Sequence, residues 1–138
     1  MISGEDIIAE ARRHIGTPFH HQGRMPDKGL DCIGLLVVVA RALDIPIRDC
    51  INYRRYPDGH ALINELSDQM DEVTFDECMP GDIGVFWYAR PGRPQHVGFL
   101  DNDRLIHTYT GSGAVRDHDL DDRWRMRLMH VFRFKGVF

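Results

Sequence analysis

The hydrophobic period changes at Pro80-Gly81-Asp82, and this change constrains the fold more than any other feature of the chain. Before this turn, apolar residues recur at helical spacing; after it, they follow the short patterns that are typical of strands. Sequential strands joined by short turns form antiparallel sheets, with the helices segregated to one side. The sequence therefore predicts an α+β domain, not an alternating α/β one.

Three helices are predicted before the turn. Ser3 can cap the first, with Asp6 as its capping-box partner and Gly16 as its end. Its apolar stripe comprises Ile7, Ile8, Ala11 and Ile15. The second helix runs from about 31 to 43 and is apolar almost all round, which predicts a central, buried helix. A third helix is expected near 60–71.

Five strands are predicted after the turn. Their expected ranges are 83–89, 96–101, 105–109, 113–117 and 128–135. Between the last two, three arginines alternate with apolar residues over 123–128, which indicates a strand edge with one solvated face.

Composition excludes several classes of function. A chain of 138 residues suits one domain over 1–138, and its net charge of −4 argues against nucleic acid as a partner. The N-terminus lacks the features of a signal peptide, and no apolar run is long enough to span a membrane. We therefore expect synthesis in the cytoplasm and no membrane partner. Cys50 and Cys78 lack neighbours of catalytic type, so we interpret them as structural, reduced thiols.

Cys32 is the candidate nucleophile because it falls at the start of the buried helix. A thiol in the first turn faces the positive end of the helix dipole and unpaired backbone N–H groups. This position can lower the pKa of a cysteine. The competing interpretation is a small core residue, since cysteine is often buried.

The predicted hairpin brings two histidines together. With Asn102 and Asp103 as turn residues, facing positions sum to 205, so Gly98 lies opposite His107. His96 and His107 then project from the same face as diagonal neighbours. Gly98 removes the side chain that would crowd His107.

One thiol and two imidazoles on one face suit acyl transfer without a cofactor or metal. One imidazole takes the thiol proton, and the second group fixes the tautomer of the first. Two alternatives remain open at this stage: strand histidines with no shared role, and a zinc site that uses Cys32, His96 and His107 as ligands.

Five motifs occur in an order that resembles the NlpC family of cell-wall cysteine peptidases, most of all its small branch encoded with bacteriophage tail genes. They are Gly16-Thr-Pro-Phe-His-His-Gln-Gly23, Leu30-Asp-Cys-Ile-Gly-Leu35, Pro80-Gly-Asp82, His96-Val-Gly-Phe99 and Leu105-Ile-His107. The resemblance implies a papain-like fold and hydrolysis of peptidoglycan stem peptides, usually at the bond between D-glutamate and the diamino acid. It also implies phage tail-tip proteins as partners, with location in a virion tail or delivery to the cell wall through a phage or lysis route.

The resemblance also assigns roles to residues. Cys32 would be the nucleophile, His96 the general base and His107 the orienting residue. The expected substrate contacts are Asp31, His20, His21, Phe19 and Trp87. Asp31 is first a helix N-cap and second an acceptor for a substrate ammonium.

Two positions depart from the family pattern. Phe19 stands where the family commonly has Tyr, and Ile33 where it often has Ser. They keep open the alternative of a structural tail-assembly protein with vestigial catalysis.

Overall fold

A computed structural model describes residues 1–49 and 60–138 of the chain. Four helices and eight strands lie in these residues. The helices are α1 (Gly4–Arg12), α2 (Cys32–Ala42), α3 (His60–Gln69) and α4 (Asp122–Arg125). The strands are β1 (Arg24–Met25), β2 (Gly29–Leu30), β3 (Met70–Val73), β4 (Ile83–Trp87), β5 (Pro94–Asp101), β6 (Arg104–His107), β7 (Arg116–Asp119) and β8 (Leu128–Phe134).

Six of the strands form one antiparallel sheet in the order β3-β8-β4-β5-β6-β7, and β1 pairs with β2 separately. The first three helices cover one face of the large sheet, which we call the helical face. The other face packs against α4, and we call it the α4 face. The predicted α+β architecture is confirmed. No described helix is both long and apolar enough to cross a bilayer.

The start of α1 was predictable, but its end was not. Ser3 and Asp6 form the expected capping box. The helix ends at Arg12, however, and the following turn leads into Gly16 at φ +93°. The side chain of Ile15 is 46% exposed, so its assignment to the apolar stripe was wrong. A helix that stops one turn earlier no longer directs this side chain toward the core.

Helix α2 is the central element of the fold, as predicted. Its caps lie at Asp31 and Leu43, and it packs against β5. The buried residues form an unbroken run: Gly34, Leu35, Leu36, Val37, Val38, Val39 and Ala40. Burial on nearly every side fixes the helix relative to the sheet, and its first residue is therefore held in a defined place.

Three sequence-based assignments were wrong in detail. Helix α3 ends at Gln69 and β3 begins at Met70, whereas the helix was expected to continue to 71. The segment expected as an arginine-rich strand edge contains the short helix α4, because Asp121 accepts a hydrogen bond from the Trp124 backbone N–H and starts a helical turn. The strand expected at 113–117 is shifted to Arg116–Asp119.

The β5–β6 hairpin has the predicted register. Phe99 pairs with Ile106, and Asp101 with Arg104, so facing positions sum to 205. Asn102 adopts the left-handed conformation at φ 54°, which a two-residue turn requires. Strand alternation therefore directs Val97 and Phe99 to the helical face, and His96 and Gly98 to the α4 face.

We expect Gly98→Ala to destabilise the fold. A Cβ at this position would lie 2.9 Å from Cβ of His107 and 2.8 Å from a methyl carbon of Leu105. Because the Cβ of His107 is fixed by its backbone and cannot move aside, the free energy of unfolding should fall by about 1–3 kcal/mol. Urea denaturation measures the loss, with Met126→Ala, at a side chain 67% exposed, as the control. Equal stability of both variants would show that the hairpin relaxes around the added methyl group.

Candidate active site

Cys32 is the first residue of α2 and is partly buried. Its sulfur faces two backbone N–H groups, that of Val97 on β5 and that of Ile33, the next residue of α2. No hydrogen bond joins the thiol to His96 within residues 1–49 and 60–138. The thiol instead meets the strand at Val97, the residue directly after His96.

Burial raises the pKa of the Cys32 thiol to about 12, and the negative charge of Asp31 acts in the same direction. The N–H groups of Val97 and Ile33 oppose this rise without cancelling it. The expectation of a lowered pKa at the helix start was therefore wrong. At neutral pH the thiol carries its proton, and it becomes a nucleophile only when a base removes that proton.

The structure brings His96 and His107 together as the hairpin arithmetic predicted. Nε2 of His96 and Nδ1 of His107 are 2.7 Å apart and share a hydrogen bond. Both residues are buried on the α4 face of adjacent strands. Because Nε2 of His96 is engaged by His107, Nδ1 is the nitrogen through which His96 can act on another group.

Both imidazoles are neutral. Burial lowers the pKa of His96 to about 3, and the positive charge of Arg127 adds to this effect. Burial also lowers the pKa of His107, and its neighbours His96 and His118 depress it further. A neutral imidazole has one bare nitrogen and can therefore accept a proton.

Aromatic rings enclose the histidine pair. The indole of Trp124 stands edge-on to His107, with ring centroids 4.7 Å apart and an interplanar angle of 88°. Tyr109 contacts both imidazoles. The guanidinium of Arg127 lies over Trp87 at 4.7 Å, and its Nε is buried without a hydrogen-bond partner among the described residues. This surrounding fixes the ring planes and excludes water, which explains the neutral state of the pair.

Sequence reasoning missed His118, which extends the pair to three imidazoles. Nε2 of His107 and Nε2 of His118 are 2.7 Å apart, and Nδ1 of His118 is 2.8 Å from the Asp119 carbonyl oxygen. Leu105 pairs with His118 across β6 and β7, which makes His107 and His118 diagonal neighbours. The three histidines are eleven residues apart in sequence. That spacing was the available signal, but the connection over 108–115 leaves the register of β7 open.

Asp31 forms the predicted N-cap. Its Oδ1 accepts hydrogen bonds from the Gly34 backbone N–H at 2.7 Å and from Nη1 of Arg24 at 3.0 Å. Its Oδ2 accepts from the backbone N–H of Gln22 at 2.8 Å. Both oxygens thus already serve protein donors, and the role as an ammonium acceptor stays a prediction. Arg24 was not found from the sequence.

Three of the other expected substrate contacts, Phe19, His20 and His21, lie in the segment before β1. Phe19 is partly buried and bridges to Leu30, directly before the Asp-Cys pair. His20 is exposed and borders a surface cavity of about 230 Å³ that Arg24 also lines. His21 is partly buried and accepts a hydrogen bond through its carbonyl oxygen from Nδ1 of His20. Their contacts with substrate stay predictions.

Trp87 and the two remaining cysteines complete the list of predicted residues. Trp87 is partly buried at the end of β4 beneath Arg127, and its contact with substrate also stays a prediction. Cys78 is partly buried and carries a free thiol. Cys50 lies outside the described residues.

The zinc alternative is not supported by the geometry. Both nitrogens of His107 and Nε2 of His96 are engaged in ring-to-ring hydrogen bonds. Across the part of the chain that the structure describes, no group of three or more His, Cys, Asp or Glu residues could hold a metal ion.

The helices, the antiparallel sheet and the thiol at the start of the central helix define a papain-like α+β protein. The NlpC/P60 family model matches residues 16–133, which cover most of the chain. The chain belongs to this family.

Curated relatives and solved structures agree with this membership. The probable endopeptidase NlpC of Escherichia coli is 32% identical over 102 residues, which are 73% of this chain and 58% of that protein. The gamma-DL-glutamyl hydrolase of Bacillus subtilis is 23% identical over 133 residues, which are 95% of this chain and 29% of that protein. An NlpC/P60 family protein from Bacillus cereus has the same fold, with a TM-score of 0.74 at 18% identity over 96% of this chain and 40% of that chain. The chain thus spans less than two thirds of each of these proteins.

We predict that alkylation of Cys32 by iodoacetamide is slow at neutral pH and accelerates with rising pH. Only the thiolate reacts, and the raised pKa keeps its population small. The rate constant should rise about tenfold per pH unit between pH 6 and 9. Peptide mass spectrometry separates the Cys32 adduct from those on Cys50 and Cys78. A rate that is constant across neutral pH would instead reveal a thiolate–imidazolium pair.

Proposed function

We propose that this chain is a cysteine peptidase that hydrolyses the peptide stems of peptidoglycan. The observation that carries the proposal is the hydrogen-bonded pair of His96 and His107, next to the strand residue that faces the Cys32 thiol. Membership of the NlpC/P60 family, whose members are cysteine peptidases and hydrolases of peptidoglycan, supports it. The proposed roles are nucleophile for Cys32, general base for His96 and orienting residue for His107.

In the acylation step, Nδ1 of His96 takes the thiol proton while the sulfur attacks the carbonyl carbon of the scissile amide. The carbonyl electron pair moves onto oxygen and forms a tetrahedral intermediate. The N–H of Cys32 has no partner within its helix and is the proposed donor to that oxygen. The intermediate collapses to a thioester as the C–N bond breaks, and His96 passes its proton to the leaving amine.

In the deacylation step, water attacks the thioester carbonyl and gives its proton to His96. The C–S bond breaks, and the proton returns to the sulfur. Hydrogen bonds of this kind are often long before substrate binds and shorten in the complex. The sulfur faces the backbone N–H of Val97, the residue after His96, and the proposed step requires the thiol and Nδ1 of His96 to approach each other in the substrate complex.

The proposed scissile bond lies between D-glutamate and the diamino acid. The Bacillus subtilis relative is named a gamma-DL-glutamyl hydrolase, which supports a γ-glutamyl substrate for this chain. Phe19 stands where the family commonly has Tyr and Ile33 where it often has Ser, so neither position offers a side-chain hydroxyl to the substrate.

We further propose that the protein acts as part of a phage or prophage tail, or reaches the wall by lysis. The sequence resemblance to the tail-associated branch supports this location. Mass spectrometry of purified virions should detect the chain. Its absence from virions whose tail-tip proteins are detected at full coverage would contradict a tail location.

We predict that Cys32→Ala and His96→Ala abolish hydrolysis of purified muropeptides while the fold is kept. Each variant removes one member of a unit that acts together, so kcat/KM should fall by roughly 10³-fold or more. Liquid chromatography with mass spectrometry measures the products and identifies the bond that is cut.

The matched control is Cys78→Ala, which removes a free thiol distant from α2 in sequence. It should hydrolyse the muropeptides at the wild-type rate. Wild-type protein that cleaves no stem peptide, or a Cys32→Ala variant that retains full activity, would overturn the proposal.

A further inference from the structure

The hydrogen bonds of the three imidazoles run in one line that ends at a backbone carbonyl. His96, His107 and His118 lie on the adjacent strands β5, β6 and β7. The line begins at Nε2 of His96 and passes through both nitrogens of His107 and both of His118. It ends at the carbonyl oxygen of Asp119, 2.8 Å from Nδ1 of His118.

A carbonyl oxygen can only accept, and this fixes the direction of every hydrogen bond in the line. Nδ1 of His118 must carry a hydrogen to donate to Asp119. In the neutral ring Nε2 is then bare and accepts from Nε2–H of His107. Nδ1 of His107 is therefore bare and accepts from Nε2–H of His96. The last consequence is a bare Nδ1 on His96, with its lone pair available to a thiol proton.

We propose that His118 is a positioning residue that sets the tautomers of His107 and His96, so that His96 presents a bare Nδ1 to the Cys32 thiol. The inference rests on the proposed function for its catalytic consequence. The tautomers themselves can be measured without any substrate.

If these hydrogen bonds ran in the opposite direction, His96 could not act as a general base. If His107 were Nδ1–H, it would donate to Nε2 of His96, and His96 would carry its hydrogen on Nδ1. A protonated Nδ1 cannot accept the thiol proton. Among residues 1–49 and 60–138, His118 is the one hydrogen-bond partner of His107 Nε2, so its removal takes away the group that selects between the two directions. A misassigned tautomer can reduce kcat by several orders of magnitude even when the geometry is kept.

Ion pairs hold His118 in place at the edge of the sheet. Asp117 Oδ1 accepts from Nε of Arg104 at 2.7 Å, and Asp117 Oδ2 accepts from Nε of Arg12 at 3.0 Å. Asp119 Oδ1 accepts from Nη1 of Arg104 at 2.9 Å. The residues on both sides of His118 are thus tied to β6 and α1. This fixes the register that aims the imidazole at His107.

The direct test is nitrogen-15 NMR of the histidine side chains at pH 8.5, above the ordinary imidazole pKa of about 6.5. We expect the Nε2–H tautomer for His96 and His107 and the Nδ1–H tautomer for His118. Assignment uses single His→Gln variants. Wild-type protein with His107 in the Nδ1–H form would overturn the proposal, whatever its activity.

The second test makes the side chain at position 118 either a hydrogen-bond acceptor only or a hydrogen-bond donor only. His118→Glu supplies only an acceptor to Nε2–H of His107 and should keep kcat within about threefold of wild type. His118→Lys supplies only a donor and should switch His107 to the Nδ1–H form. Its kcat for a γ-D-glutamyl stem peptide should fall by about 10²-fold or more, with KM nearly unchanged.

The matched control is His130→Lys, which introduces the same side chain on β8 outside the histidine line. It should retain wild-type kcat and wild-type tautomers. Equal losses in His118→Glu and His118→Lys, with unchanged tautomers in both, would show a purely structural role and overturn the proposal. Wild-type protein that shows the expected tautomers but cleaves no stem peptide would contradict only the proposed function.

Discussion

The burial of α2 against the helical face of the sheet is the constraint on which the rest of the structure depends. Seven consecutive residues of the helix are buried, and they meet the apolar side chains of β5. Burying each aliphatic side chain contributes about 1.5–3 kcal/mol, so the position of this helix is strongly determined. Its first residue is Cys32, which is therefore placed by hydrophobic packing. Asp31 and Arg24 only complete the helix start.

The same burial decides the charge state of the site. A helix dipole stabilises a charge near its end by about 0.3–1 kcal/mol, which corresponds to less than one pKa unit. Burial of the Cys32 thiol outweighs this contribution, and the pKa rises. Burial of His96 lowers its pKa for the same reason, since both charged forms are disfavoured away from water. The resting site thus consists of a neutral thiol and neutral imidazoles. Which imidazole nitrogen can accept a proton is therefore decided by the directions of the hydrogen bonds, more than by interactions between charged groups.

The sequence allowed the fold and half of the site to be predicted because those parts depend on local rules. A two-residue turn at Asn102 determines which residues of the hairpin face each other, since facing positions then sum to 205. This register places His96 beside His107. His118 could not be placed in this way, since the connection over 108–115 has no fixed geometry. Helix α4 was missed because its four residues are too few to show a helical period. The contact of Arg127 with Trp87 depends on tertiary packing that no local pattern encodes.

An edge strand thus acts on the chemistry of a buried centre. A strand at the edge of a sheet has one free side, and a slip by one residue would turn all its side chains to the opposite face. In β7 such a slip would withdraw His118 from His107. The direction of the hydrogen bonds from His96 through His107 would then be undetermined. The ion pairs of Asp117 and Asp119 with Arg104 oppose that slip. Although each exposed pair contributes little to stability, together they define the one register in which the line ends at a carbonyl acceptor. The charged residues of β7 therefore serve the orientation of His96, two strands away, more than they serve the stability of the fold.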